Sequence, residues 1–556
     1  MSAGLTLNKI TSQKGISIAE AARRIADLGW QPSYVQEAMT FPTDYKIGKQ
    51  PRDPMKQVLR SYFPMQEEKD NRVYGALDAA LRGDMFRNTQ PRWVEWMKLF
   101  LAIIPFPEIS AARSMSMLGR LAPGEELRTG FTMQMVDEFR HSTIQMNLKK
   151  WYMENYIDPA GFDITEAAFG KCYATTIGRQ FGEGFITGDS ITSANIYLQV
   201  VAETGFTNTL FVAMPSEAAR NGDYALSSVF LSVQSDESRH IGNGHSLLMS
   251  ILNDPDNHLL LERDIRYAFW QNHAIVDAAI GTIIEYGTTD RSKNKESYAE
   301  LWHRWIYEDY YRTYLLPLEK YGVKIHHDDV GAAWDRIVKK NYVHKTAQFF
   351  AVGWPVAFWR IEAQTEKDFE WFEHKYPGWY AEFGDFWKWY ARKSVPGETN
   401  MLFDQEAGYV YPHRCWSCLV PCLIREDFVV DEVEGQLYTY CSDLCRWTHK
   451  VAFSGEYEGR PTPAMGRFSG RRVWEDCYHG WDLADVIKDL GFVRNDGKTL
   501  VSQPHLRFDD KDMWTLDHVK GHQIQSPLVL LREMTPEARE KHLAEYRAGF
   551  KIKPFA

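Results

Sequence analysis

A repeated pentapeptide constrains the fold of this 556-residue chain more than any other feature. Asp-Glu-x-Arg-His stands at 137–141, in "VDEFRHSTI", and again at 236–240, in "SDESRHIGN". Residues three apart in an α-helix share a face, so Glu138 with His141, and Glu237 with His240, each offer a carboxylate and an imidazole to one point. Two such helices packed antiparallel can surround a pair of metal ions, provided that each of two further helices adds a glutamate. Glu108, in "IPFPEISAARS", and Glu203, in "VVAETGFTNT", each stand one hairpin upstream of their Glu-x-x-His partner. Both lie among apolar and small residues, where an unpaired carboxylate is costly to bury. Glu125, Glu126 and Glu183 compete for these places but lie in a turn or lack the matching separation.

A third Glu-x-x-His, Glu300–His303 in "YAELWHRW", lacks the preceding Asp and the Arg, so the bare motif also arises by chance. Asp137 and Asp236 have a place beside the ligands, because metal-bound imidazoles give their second N–H to a carboxylate. Arg140 and Arg239 can hold those aspartates as buried pairs. Four carboxylates and two imidazoles suit iron or manganese better than zinc or copper, and open positions on two redox metals imply oxygen chemistry.

The rest of the chain divides into three expected parts. Residues 1–90 are polar and proline-punctuated, with one helical stretch at "SIAEAARRIADLG", and are expected to be an arm for subunit contacts. Residues 91–400 carry apolar positions at three and four with well-separated turn signals, which predicts a long helical domain. Residues 401–556 change to short β-rich pieces around cysteines, with the boundary expected near 395–410. The fold class is therefore mainly α: a ferritin-like helical bundle, an N-terminal arm and a smaller α+β C-terminal region.

Five of the 7 cysteines crowd together: Cys415, Cys418 and Cys422, then Cys441 and Cys445. Thiolates at such spacings in two short loops favour tetrahedral zinc, although five exceed four ligands, and an iron–sulfur cluster or plain thiols are the competing readings. Cys172 and Cys477 read as buried thiols.

Several classes are excluded. A net charge of -10 with no long Lys/Arg stripe argues against nucleic acid as a partner. The opening "MSAGLTLNKITSQKG" lacks an apolar signal region, and "WMKLFLAIIPFP" at 96–107 is too short and proline-broken to span a bilayer. A cytoplasmic location without membrane contact is expected. No strand-Gly-x-Gly-x-x-Gly-helix unit is found for NADH or flavin, so electrons must arrive from a separate protein.

With these residues in hand, the chain resembles the large (α) hydroxylase subunits of the soluble multicomponent di-iron monooxygenases that act on methane, propane, phenol and toluene. The likeness covers most of the chain and is strongest towards the propane and tetrahydrofuran branch, through "RSYFPMQEEKDNRVYGA", "EFRHSTIQMNLKKWYMENYIDPAGFDITE", "IGRQFGEGFITGD" and "YPHRCWSCLVPCLIRED". The resemblance implies that Glu108, Glu138 and His141 hold one iron and Glu203, Glu237 and His240 the other. It makes Thr207 the active-site threonine that assists proton delivery, and Asn208 and Gln234 polar residues near the metals that respond to partner binding. Gln145 would face the pocket, where methane oxidisers place a cysteine. Ile104, Phe181, Phe185 and Phe206 would be pocket walls, or else ordinary core. Phenol-oxidising relatives carry a structural zinc on paired Cys-x3-Cys, which selects Cys418, Cys422, Cys441 and Cys445 and leaves Cys415 as a spare or a substitute.

The implied activity is insertion of one atom of O2 into a C–H bond of a small alkane, foremost propane to 2-propanol. Phenol, other aromatics or cyclic ethers on the same site are the alternative substrates, and a metal-free scaffold is the non-enzyme alternative. The implied partners are a β subunit in an (αβ)2 assembly, a small coupling protein, and a reductase carrying FAD and a [2Fe–2S] cluster that takes electrons from NADH.

Overall fold

The structure is a computed structural model that describes residues 43–48, 59–157, 190–291, 295–352, 361–393, 415–418 and most of 429–465. It also describes scattered positions at 162 and 182–188 and short stretches between 482 and 548. The helical stretch near the N-terminus, the expected boundary at 395–410, and Cys172, Phe181, Phe185, Cys422 and Cys477 lie outside the described residues.

Two prolines open the core. Pro91 and Pro105 sit in the first turns of two successive helices, where a missing N–H costs nothing and a fixed φ favours helix entry. In chain order the main helices are α1 (Leu59–Arg82), α2 (Pro91–Ile103), α3 (Pro105–Leu121), α4 (Glu125–Asn155), α5 (191–220), α6 (Tyr224–Leu252), α7 (258–286) and α8 (298–315). They are followed by α9 (His327–Val338), α10 (Tyr342–Val352), α11 (Glu366–Lys375) and α12 (Trp379–Lys393). Helices α3, α4, α5 and α6 pack on one another as a four-helix core, α7 covers α5, and α1 lies along α6.

One carboxylate ties three of these helices together. Asp223 caps α6 by accepting the Leu226 N–H at 2.9 Å, and its other oxygen accepts Trp93 Nε1–H of α2 at 2.9 Å and the Tyr152 hydroxyl of α4. Close approach is needed elsewhere: a Cβ on Gly244 of α6 would fall 2.2 Å from Gln199 Cβ, so only glycine lets α5 and α6 meet there. Helix α5 is not regular. Ile196–Phe206 and Thr209–Ala213 are π-helical, as are His273–Asp277 of α7 and His303–Leu315 of α8. Such segments re-aim side chains and concentrate at functional sites.

The segment expected to be an arm contributes α1, a helix that carries Pro64 inside it and buries Tyr62 and Gln66. The chance copy of Glu-x-x-His is a helix start: Ser297 and Glu300 form a capping box on α8, and Glu300 also accepts from Lys375. Beyond α12, strands β1 (Val429–Val433) and β2 (Gln436–Tyr440) pair antiparallel in the register Val429↔Tyr440, and β3 (Val529–Leu530) extends β2 on its other edge. A short helix, α13 (Asp443–Val451), follows β2. Among the described residues no helix is long and apolar enough to cross a membrane.

Candidate metal centre

Glu108 projects from the first turn of α3, Glu138 and His141 from the middle of α4, Glu203 from the π-helical part of α5, and Glu237 and His240 from α6. All six side chains are buried. His141 Nδ1 lies 3.4 Å from Glu138 Oε2 and 3.8 Å from Glu108 Oε2. His240 Nδ1 lies 3.4 Å from Glu138 Oε1, 3.5 Å from Glu237 Oε2 and 3.8 Å from Glu203 Oε1. Two donor sets with metal-holding geometry result, Glu108–Glu138–His141 and Glu138–Glu203–His240, and Glu138 belongs to both.

The fit to cations rests on orphaned atoms. Nδ1 of His141, Nδ1 of His240 and Oε2 of Glu203 are buried with no hydrogen-bond partner, an arrangement that is expensive unless an ion takes those lone pairs. Burial pushes the Glu138 carboxyl up to about 7, with the Glu108 charge beside it adding to the rise, and burial takes Glu203 well above the carboxylate range. Four buried carboxylates crowd one space, and a bound cation relieves that crowding.

Both imidazoles are oriented from the far side. His141 Nε2–H donates to Asp236 at 3.2 Å, and His240 Nε2–H donates to Asp137 at 3.2 Å. The pairing crosses over: each aspartate serves the histidine of the other pentapeptide. Arg140 Nη1 reaches Asp236 at 3.1 Å and Arg239 Nη2 reaches Asp137 at 2.9 Å, so the arginines cross as well, while Arg239 also bonds Asp236 on its own helix. Burial opposes charge on the two imidazoles, yet Asp236 and the glutamates around His141, and the glutamates and Asp137 around His240, hold both pKa values well above the ordinary range. Asp236 itself is held far below the carboxylate range against its burial, by His141 first and then by Arg239 and Lys69.

Helix α1 supplies residues that the motif search did not find. The Tyr62 hydroxyl donates to Asp137 at 2.6 Å, Gln66 bridges Asp137 and Asp236, and Lys69 pairs with Asp236. Their i, i+4, i+7 spacing was a readable signal, one face of one helix. Gln134, one turn before Glu138, was also missed. Its Nε2 donates to Glu138 and to Glu203, both at 3.0 Å, and Gln199 fixes its orientation by donating to its Oε1 at 3.1 Å.

A cavity of about 110 Å³ is lined by Glu108, Glu138, Glu203 and Glu237 and by walls that are apolar apart from Thr207 and Asn272. Ile104, Phe206 and Thr207 line it. The Thr207 hydroxyl donates to the Glu203 carbonyl. Gln145 is fully buried and donates to Glu108 at 2.7 Å, so it acts on a carboxylate and is not among the lining residues. Asn208 and Gln234 meet each other at 3.5 Å, and Asn208 donates to Asp309 of α8 at 3.4 Å; neither is among the residues lining the cavity.

The described cysteines form one cluster. Among the described residues Cys415, Cys418, Cys441 and Cys445 gather with all Sγ atoms within 4.8 Å, so Cys415 takes the place of the substitute, while Cys422 lies outside the described residues. Cys418 to Cys441 and Cys441 to Cys445 are each 3.6 Å, close to the ~3.8 Å edge of a tetrahedron with ~2.3 Å Zn–S bonds. The thiols are unpaired by disulfides, and hydrogen bonding from Cys415 first, then Cys418, holds Cys441 well below the thiol range. Trp270 of α7 donates to Cys445 at 3.4 Å and Arg336 of α9 to Cys418 at 3.2 Å, which seats the cluster directly on the helical domain.

The chain is similar to known proteins at several distances. The pattern of the Methane/Phenol/Alkene Hydroxylase family matches residues 30–255. The chain is 64% identical over 535 residues, 96% of its length and 98% of theirs, to the propane 2-monooxygenase hydroxylase component large subunit of Rhodococcus jostii (strain RHA1). It is 32% identical over 91% of its length, and 93% of theirs, to the methane monooxygenase component A alpha chain of Methylococcus capsulatus. The solved phenol hydroxylase from Pseudomonas sp. OX1 has the same fold, with a TM-score of 0.64 over 78% of this chain and 88% of that one at 22% identity. Since the likeness to the propane and methane subunits runs through the cysteine region as well as the four-helix core, the whole chain belongs to the large-subunit hydroxylases of the multicomponent monooxygenases.

Proposed function

We propose that this chain is the catalytic subunit that hydroxylates a short alkane, propane at C2, within a multicomponent monooxygenase. The observation that carries the proposal is the 64% identity along 96% of the chain to propane 2-monooxygenase large subunits, twice the identity to the methane subunit. The cavity agrees: at about 110 Å³ it is smaller than the ~150 Å³ apolar cavity that admits benzene, which favours a small aliphatic over an aromatic substrate.

Glu108, Glu138 and His141 would hold one iron and Glu203, Glu237 and His240 the other, with Glu138 placed to reach both. When bound, the two irons would supply the redox chemistry that activates O2, one oxygen atom of which enters the C–H bond while the other leaves as water at the expense of two electrons from the reductase. The chain's own groups do the positioning. Asp236 and Asp137 fix the tautomers of His141 and His240 by accepting their Nε2–H, leaving Nδ1 bare for a ligand bond. Gln134 holds Glu138 and Glu203 at a common donor, and Gln145 holds Glu108. Thr207, with its proton lent to the Glu203 carbonyl, keeps its oxygen lone pairs available at the cavity wall. Leu99, Phe100, Ile103, Ile104 and Phe206 exclude water and bind hydrocarbon by burial alone.

Cys415, Cys418, Cys441 and Cys445 would hold a structural zinc. A β subunit in an (αβ)2 assembly, a coupling protein and an NADH-oxidising reductase with FAD and a [2Fe–2S] cluster complete the system, in the cytoplasm. The test is reconstitution of the complex with NADH and either propane or phenol. NADH- and O2-dependent 2-propanol is the expected result, and hydroxylation of phenol with none of propane overturns the substrate assignment.

A further inference from the structure

The π segment His273–Asp277 of α7 is held at both ends by groups outside its own helix. At its start, the His273 carbonyl accepts the Tyr342 hydroxyl of α10 at 3.0 Å. At its end, the Asp277 carboxylate accepts the Tyr298 hydroxyl at 2.6 Å and Trp302 Nε1–H at 2.7 Å, both from α8. His273 Nδ1–H closes the five-residue segment on itself by donating to Asp277 at 2.7 Å. Between these anchors stand Ile275 and Val276, and Ala279 and Ile280 follow; all four line the same cavity as the glutamates. Single π turns inside α-helices are uncommon and favour functional sites, and here hydrogen bonds at both ends fix where the turn presents its side chains.

The first anchor leads to the cysteine cluster. The Arg336 guanidinium of α9 lies over the Tyr342 ring, 4.4 Å from its centre. Arg336 is buried, where a guanidinium is costly unless negative charge stands beside it, and it donates to Cys418 Sγ at 3.2 Å. The same guanidinium lies 5.2 Å from the Trp270 ring, and Trp270, three residues before His273 on α7, donates to Cys445 at 3.4 Å. A hydrocarbon offers the cavity no polar handle, so the shape of the walls alone orients it. We infer that Arg336 and Tyr342 are positioning residues: through them the cysteine cluster fixes the π segment of α7, and with it the cavity wall that decides which carbon of the hydrocarbon is presented to the metal centre. The inference rests on the hydroxylase reading above and gives the cysteine region, which that reading leaves structural, a part in regiochemistry.

The test compares the wild type with Tyr342→Phe, which removes one hydroxyl and keeps the ring beneath Arg336, in the complete reconstituted complex. Iron and zinc contents are expected to match the wild type, and the ratio of 2-propanol to 1-propanol formed from propane to fall about fivefold, the equivalent of about 1 kcal/mol. Hydrogen–deuterium exchange of peptides covering 270–283, measured on the hydroxylase without turnover, is expected to speed up. An unchanged product ratio, or unchanged exchange, overturns the inference. Loss of either metal overturns it as well, because the hydroxyl would then support a metal site instead of the wall. Should this variant not fold, Arg336→Lys keeps a positive charge beside the thiolates without the planar, stacking fork, and the same outcomes decide. Failure of the hydroxylase reading looks different: the wild-type complex then makes no alcohol from any hydrocarbon, while the exchange comparison still reads the anchor.

Discussion

The two halves of the carboxylate site carry the same pentapeptide on different helices. In the first half, Glu108 starts a regular α-helix and its carboxylate is tied down by Gln145. In the second, Glu203 sits in an 11-residue π segment, its Oε2 has no partner, and Thr207 bonds its backbone instead of its carboxylate. The repeat fixes which donors are present; the type of helix beneath them decides how tightly each is held and what else reaches the cavity. By this comparison the first half is the more firmly braced, and the second, where Gln134 holds only Oε1 of Glu203, the more open.

The largest effect belongs to the residue that the halves share. Glu138→Ala removes a donor from both sets, so iron is expected to fall from about two per chain to near none with loss of all hydroxylation; one iron retained would place Glu138 in a single half. Glu108→Ala and His240→Ala each open one half and are expected to lose iron and turnover, measured by metal analysis and product formation. Two irons with normal turnover in either variant contradict the ligand assignment.

The crossed aspartates give the next effect. Asp236→Asn lies in the second pentapeptide but disturbs His141 of the first, and a loss of about 10–100-fold in iron affinity or activity is expected. Mössbauer spectra of partially loaded protein should show the change at the Glu108 side; a change confined to the His240 side would refute the crossing. A smaller effect separates brace from opening. Gln145→Leu removes a hydrogen bond to an ionised carboxylate, about 1.5 kcal/mol, and should weaken iron retention roughly tenfold, whereas Thr207→Val should keep its iron and lose turnover. Equal iron retention in the two variants erases the distinction.

The last effect bears on stability alone and concerns an imidazole with no carboxylate beside it. Burial among Tyr286, Phe372, Tyr376 and Phe383 pushes His344 down to about 3, the opposite of His141 and His240. Its folded pKa lies below its unfolded value of ~6.5, so the unfolded chain takes up the extra proton first. Stability contributed by neutral His344 is complete above ~6.5 and drains as pH falls towards about 3, at roughly 1.4 kcal/mol per pH unit. Thermal unfolding between pH 7 and 5 should therefore be less acid-sensitive in His344→Gln than in the wild type; parallel curves would contradict the assignment.

Much of this site was legible because helical spacing is local. Glu138 with His141 and Glu237 with His240 follow from i, i+3 geometry, and Glu108 and Glu203 from matched hairpins in apolar surroundings. The crossing of Asp137 and Asp236 was not legible, because a pentapeptide says nothing about which neighbour its own aspartate faces across the helix pair. The role of α1 was obscured by prolines that made its surroundings look like an arm, although Tyr62, Gln66 and Lys69 form one stripe. The π segments left no mark on the apolar pattern, so Thr207 could be placed one turn after Glu203 without showing that its hydroxyl bonds the backbone. The spacing alone left Cys415 and Cys422 as alternatives, whereas the hairpin of β1 and β2 brings Cys441 and Cys445 against the turn that carries Cys415 and Cys418.

The most direct measurement is Mössbauer spectroscopy with metal analysis on iron-57-enriched hydroxylase, wild type and Glu138→Ala side by side. Two irons per chain in a coupled pair, both lost together in the variant, is the predicted result. Two uncoupled irons, or a variant that keeps one, would contradict a centre built from two halves around a shared carboxylate.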